Sequence, residues 1–271
     1  MAAAQRGVLS ASIEVGGDGW CTAWIAELPG CFVNEPSENA ALRTLPKAIL
    51  AYLRWLRRHG ERIPRPRAAE VRVVERHERT EPMRWGNYEV LHSFERHPVT
   101  RTEVARLLRW MRFMRADTLR LLALLPPEGV GWSRPRQTRT IGEHLHHMAH
   151  GQQWYLARVA LGRPPAPTAS TVDPVEHLAL VLSNVVARLS RMTREERARI
   201  VQAENGRWWS TRKVLDRMLY HERYHIRSMA RIVRHHRVRV PEGLGGWHTP
   251  SGGNEPRGRR LRNPSRRRPP G

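Results

Sequence analysis

Two histidines four residues apart lie in an apolar repeat near the end of the chain, within His221-Glu222-Arg223-Tyr224-His225. On a helix that spacing puts both imidazoles on one face, about one turn apart. Val214, Met218 and Ile232 share the face, whereas Arg217, Arg223, Arg227 and Arg231 fall away from it. A neutral imidazole turned into an apolar interior still carries a donor and an acceptor that need partners. One metal ion can take the lone pairs of several such rings at once. A hydrogen-bonded core histidine is the plainer alternative.

A second histidine-rich stretch, Gly142-Glu-His-Leu-His-His-Met-Ala-His150, supplies His144, His146, His147 and His150. With Ile141, Leu145, Met148, Gln152 and Leu156 as the buried stripe of a helix, His146 falls on the far side and His150 is exposed. His144 and His147 both border the stripe, with a slight preference for His144 on the helical wheel. Spacing does not choose between them. Glu143, one turn before His147, and Glu222 are the carboxylates placed to orient ligands or relay protons, with solvated helix charge as the alternative for each. Three neutral imidazoles leave at least one position of a divalent ion open, the mark of a catalytic site. Zn²⁺ is the first choice, and Ni²⁺ or Fe²⁺ also suits imidazole. Such an ion lowers the pKa of a bound water or thiol.

The same five residues match H-E-x-x-H, the zinc peptidase motif, with Glu222 as general base. The extended form of that motif would need Gly at 228 and His at 231, where this chain has Ser228 and Arg231. Glu242, the downstream acid, lies in a Gly-Pro-rich segment, and no strand shortly precedes the motif to hold a peptide.

The elements that must position these residues fall into two groups. Val8 to Val15 alternates as a strand, Gly16-Gly17-Asp18-Gly19 turns, Trp20 to Glu27 returns, and a short strand surrounds Cys31 to Asn34. Ser37 caps a helix to about His59 that contains Pro46, and Val71 to Val74 closes the unit as an edge-like strand. The order is β-β-β-α-β over residues 1–75, followed by a connecting region at 76–99. Past it, Thr100 with Glu103 and Thr140 with Glu143 are capping-box pairs, Asp173-Pro174 opens a third helix, and Ser210 opens a fourth that runs to about His236. Four helices with 3.6-residue apolar stripes predict a four-helix bundle over 100–240. The Pro-rich connection from Gly162 to Asp173 is long enough to run the length of the bundle, which allows a crossover.

Ile141-Gly-Glu-His-Leu-His-His147-Met-Ala with Trp154-Tyr-Leu, and Trp209-Ser-Thr-Arg-Lys-Val-Leu-Asp-Arg-Met-Leu-Tyr-His221-Glu-Arg-Tyr-His225, resemble the second and last helices of the DinB-like (DinB/YfiT) bundle superfamily. The resemblance spans about Thr100 to His236. It implies a three-histidine metal site on His147, His221 and His225, used for hydrolysis or for transfer of a low-molecular-weight thiol to an electrophile. The sequence departs from the pattern at His150, where Asp is frequent, and at His144, usually aliphatic, which leaves room for a shifted or fourth ligand. Trp24-Ile-Ala-Glu-Leu-Pro-Gly-Cys-Phe with Ser37-Glu-Asn-Ala resembles the HicB-like antitoxin fold, a reduced relative of RNase H. Its acidic residues (Glu14, Asp18, Glu27, Glu35, Glu38) sit mostly at turns and do not cluster as a two-Mg²⁺ nuclease requires, so a binding or packing role is implied. The rival to an enzyme is therefore a non-catalytic, metal-stabilised binding protein.

The 271 residues carry a net charge of +22, but Lys47 and Lys213 are the only lysines. Such an arginine skew reads as genome composition as much as a binding surface. From Pro250 to Gly271 seven arginines face only Glu255. The segment 241–271, rich in Arg, Pro and Gly, is expected to be disordered and to touch nucleic acid without specificity. Two cysteines, Cys21 and Cys31, are too few for a disulfide framework and read as buried thiols. Met1 to Gly7 lacks a secretory apolar core and no apolar run spans a bilayer, so a cytoplasmic, membrane-free protein is expected. A small-molecule substrate and a homodimer complete the expectations.

Overall fold

A computed structural model describes residues 8–63, 69–84, 90–135, 139–162, 173–203, 206–241 and 243–244. The chain opens with β1 (Val8–Val15), β2 (Cys21–Ile25) and β3 (Phe32–Glu35), continues through α1 (Glu38–Arg58), and returns as β4 (Glu70–Glu78). The sheet order is β3-β2-β1-β4, antiparallel throughout except for β4, which lies parallel to β1 on the edge. Leu45, Ile49, Tyr52 and Leu56 of α1 are buried in the core they share with Ala11, Ile13 and Ala23 of the sheet. Ser37 caps α1 by accepting from Ala40 N, and the helix carries on through Pro46. Cys21 and Cys31 are buried free thiols.

The expected order β-β-β-α-β holds, but β4 runs to Glu78, beyond the boundary placed at residue 75. A register shift opposite Ala11 and Ser12 lets the strand continue. Nor is the stretch after it a loose connection. Leu91, His92, Glu95 and Val99 are buried around a short 3₁₀ turn at Ser93–Arg96.

Four long helices follow: α2 (Arg101–Leu122), α3 (Ile141–Arg158), α4 (Pro174–Ser190) and, at the end, α6 (Thr211–His235). Between α4 and α6 lie a one-turn helix, α5 (Arg194–Arg197), and a hairpin of β5 (Ile200–Gln202) and β6 (Trp208–Ser210). Thr100–Glu103 and Thr140–Glu143 form the expected capping boxes, and Asp173 and Ser210 cap α4 and α6. Each cap satisfies helix N–H groups that have no partner within the helix.

Two pairs of neighbouring helices run parallel. Arg212 meets Glu103 near the starts of α6 and α2 at 2.9 Å, and Arg115 meets Glu222 further along both at 3.0 Å. His146 faces His177 near the starts of α3 and α4 at 3.1 Å, while Arg188 Nε donates to Leu161 O near their ends at 3.0 Å. Consecutive parallel helices require a connection that travels back along the bundle, as the long 162–173 segment allowed; its residues 163–172 lie outside the described ones.

Arg217 and Arg223 of α6 are buried where the N-terminal unit packs against the helix. Gly30, with φ +75°, donates its N–H to Asp216 Oδ1 at 2.5 Å. The Gly30 carbonyl accepts from Arg223 Nη1. Arg217 pairs with Asp216 and Glu95 at 2.7 and 3.0 Å and lies 3.6 Å from the centre of the Trp24 ring. Buried charge is tolerable only when so paired. A Cβ on Gly30 would come within 2.8 Å of Leu219 Cβ, so the close approach of turn and helix demands glycine there.

Of the expected tail, Pro241, Gly243 and Leu244 are described, and Leu244 packs into the core. The arginine-rich residues beyond it lie outside the described ones. Among the described residues no helix is long and apolar enough to cross a membrane.

Candidate metal centre

Helix α3 presents His144 and His147 to α6, which presents His221 and His225. His147 Nε2 lies 3.2 Å from His221 Nε2, and His225 Nε2 lies 3.1 Å from the same atom. Three nitrogens at about 2.0–2.1 Å from a tetrahedral Zn²⁺ stand about 3.3 Å apart, close to the spacing found here. Hydrogen bonds among the three cannot do the same work. Each neutral ring has one N–H to give, and here three imidazole nitrogens crowd together with no carboxylate between them. The donor set therefore fits a divalent ion.

His144 occupies a different place. Its Nδ1 is 2.8 Å from Nδ1 of His225, the nitrogen of that ring turned away from the cluster. It thus stands behind His225, where a hydrogen bond fixes the tautomer and aim of a ligand ring. The ambiguity between residues 144 and 147 resolves into two positions: one ring at the convergence point, one behind it.

The site is set deep in the bundle but is not sealed. His225 is 3% exposed, whereas His147 and His221 are half-buried. Burial pushes the His221 imidazole down to about 3 and His144 to about 4, helped by neighbouring rings and the Arg139 charge. Burial likewise depresses His147 and takes His225 well below its ordinary value. All four are neutral at pH 7, the protonation state a metal ligand needs.

Gly151, which the helix pattern alone did not single out, makes room for one of the rings. A Cβ at this position would lie 2.5 Å from Cε1 and 2.9 Å from Nδ1 of His221. Glycine inside a helix costs about 1 kcal/mol relative to alanine, so a mid-helix glycine beside four histidines was the available signal.

The two carboxylates are engaged elsewhere. Glu143 is exposed and accepts from Thr140 N at 2.6 Å, closing the cap of α3. Glu222 is buried; its Oε1 accepts from Arg115 Nε at 3.0 Å and its Oε2 from Gln152 Nε2 at 3.1 Å. Neither has a recorded contact with the three converging rings. His146 and His150 face α4 rather than the cluster, with His146 against the buried His177. His177 was not among the sequence candidates, since no partner histidine sits at helical spacing from it.

The model of the DinB superfamily matches residues 111–229, which cover α3, α4, the second half of α2 and α6 as far as residue 229. The UPF0150 protein Ta0767 of Thermoplasma acidophilum is 39% identical over 56 residues, covering 21% of this chain and 81% of that protein. The match falls on the N-terminal region. No solved structure matches the chain. The chain belongs to the UPF0150, HicB-like family through its N-terminal region, and its helical region matches the model of the DinB superfamily.

Proposed function

We propose that this protein is a metal-dependent enzyme that transfers a low-molecular-weight thiol to a small electrophile, with His147, His221 and His225 holding the ion. The observation that carries it is the convergence of three neutral Nε2 atoms, 3.1 and 3.2 Å apart, from two helices. Bound there, Zn²⁺, or Ni²⁺ or Fe²⁺ in its place, supplies the positive charge that stabilises an anionic nucleophile. Three neutral ligands leave that charge undiminished. His144 holds the His225 ring in place, and Gly151 gives the His221 ring room.

Thiol transfer is preferred over hydrolysis because of what Glu143 and Glu222 are doing. Hydrolysis gains most from a carboxylate base beside the metal-bound water, and both carboxylates are committed to other partners. A thiol ionises near neutral pH with far less help. The same commitment of Glu222 speaks against a peptidase of the H-E-x-x-H type, in which it would have to be the general base.

The test uses the full chain, prepared without a histidine tag and loaded with Zn²⁺, Ni²⁺ or Fe²⁺ in turn. A thiol with a chromogenic electrophile and, separately, an activated ester are offered as substrates. The reading expects metal-dependent thiol consumption that His221→Ala abolishes. Stoichiometric metal with no turnover of either substrate would replace it with the non-catalytic, metal-stabilised binding protein.

A further inference from the structure

At the edge of the N-terminal sheet, separate from the three-histidine cluster, lies a second group of donors. Residues 75 and 77 are two apart on β4, so their side chains share one face. Glu75 Oε1 is 2.7 Å from His77 Nε2. His92, at the start of the 3₁₀ turn, points its Nδ1 toward Glu75 Oε2 across a gap of 3.8 Å. Donor atoms from the three side chains all lie within 4.8 Å of one another.

The gap is the informative feature. The His92 ring is fully buried and its Nδ1 makes no hydrogen bond. Its Nε2 lies 3.1 Å from Oε1 of Glu14, which is fully buried too. A buried carboxylate oxygen at that distance accepts the Nε2 proton. With Nε2 so paired, Nδ1 is left facing a carboxylate with no hydrogen-bond partner. An orphaned acceptor facing a negative charge is unfavourable, and a cation between the two removes the conflict. Carboxylate, imidazole and metal in line is also the usual way a ligating histidine is held.

We infer that Glu75, His77 and His92 form a second divalent-cation site, filled by Zn²⁺, with Glu14 as the residue that positions His92. Two imidazoles and one carboxylate suit a borderline ion of this kind. The His77 side chain is 34% exposed, which leaves a path from solvent and lets the ring swing inward. The site ties β4 to the segment that carries Glu95, and so to Arg217 of α6.

Metal content after exhaustive dialysis tests this on the full, untagged chain. Wild type is expected to retain two equivalents of Zn²⁺, His77→Gln one, His147→Ala/His221→Ala one, and the triple variant none. Glu14→Gln should weaken the second equivalent by about 10–100-fold. One equivalent in wild type and in His77→Gln alike would overturn the site and leave a second proton on His92 as the occupant of the gap. If the double variant does not fold, wild type against His77→Gln still decides, because residue 77 lies at the surface.

Discussion

Nδ1 of His144 lies 2.8 Å from Nδ1 of His225, on the side of that ring opposite the three converging nitrogens. The two histidines that the helical wheel could not separate therefore predict different losses. His147→Ala removes a ligand and should abolish stoichiometric metal binding at this cluster, leaving only the equivalent held by Glu75, His77 and His92. His144→Ala should leave binding intact but weaken it by about 10–100-fold, the usual effect of losing an outer partner. Competition titrations with a chromophoric chelator measure both; equal losses would mean that residue 144 is itself a ligand.

Gly151→Ala places a methyl 2.5 Å from the His221 ring. Alanine is the better helix former by about 1 kcal/mol, so on propensity alone the variant would gain stability. The expected outcome is instead a protein that stays helical yet loses metal affinity at least tenfold, read by circular dichroism and the same titration. An unchanged affinity would show that His221 is free to turn elsewhere.

Glu222→Gln separates the structural from the catalytic reading of that residue. Arg115 would be left buried without its counter-charge, and breaking a buried pair in this way costs about 3–5 kcal/mol. Urea unfolding should record that loss. Metal stoichiometry should not change, because Glu222 contacts Arg115 and Gln152 and has no recorded contact with the cluster. A drop in metal content with no loss of stability would assign the carboxylate to the ion.

The metal-free protein should lose stability as acid is added, starting near the ordinary histidine pKa of about 6.5. His221 and His144 titrate at about 3 and about 4 in the fold, with His225 and His147 also depressed. Above pH 6.5 the rings are neutral whether folded or not. Below it the unfolded chain takes up protons that the folded chain refuses, so stability falls with pH until the folded values are reached. Asp216, raised by burial to about 6, and Glu222, also raised by burial, oppose the trend. The urea midpoint should drop between pH 7 and pH 5, and less so in His144→Ala/His225→Ala. A flat profile would contradict the burial of these rings.

Local signals carried most of what could be read beforehand. Ser37, Thr100, Thr140, Asp173 and Ser210 each mark a helix start because a cap is a short-range hydrogen bond written in neighbouring residues. His221 and His225 were visible for the same reason. What escaped depends on partners far along the chain. Nothing next to Arg217 and Arg223 in the chain marks them as buried; the docking of Gly30, Trp24 and Glu95 buries them. The commitment of Glu222 to Arg115 joins two helices separated by 107 positions, which no motif around residue 222 encodes. The hairpin of β5 and β6, with strands of three residues each, is too short to show an alternation.

Helix α6 touches the histidine partners on one flank and the N-terminal turn on the other, so it serves as a party wall between two rooms. Removing the N-terminal room would strand guanidinium groups in the exposed masonry: Arg217 would lose Glu95 and the Trp24 ring, and Arg223 its carbonyl. Calorimetry of the whole chain should accordingly show one melting event rather than two, and excised halves should denature far below it.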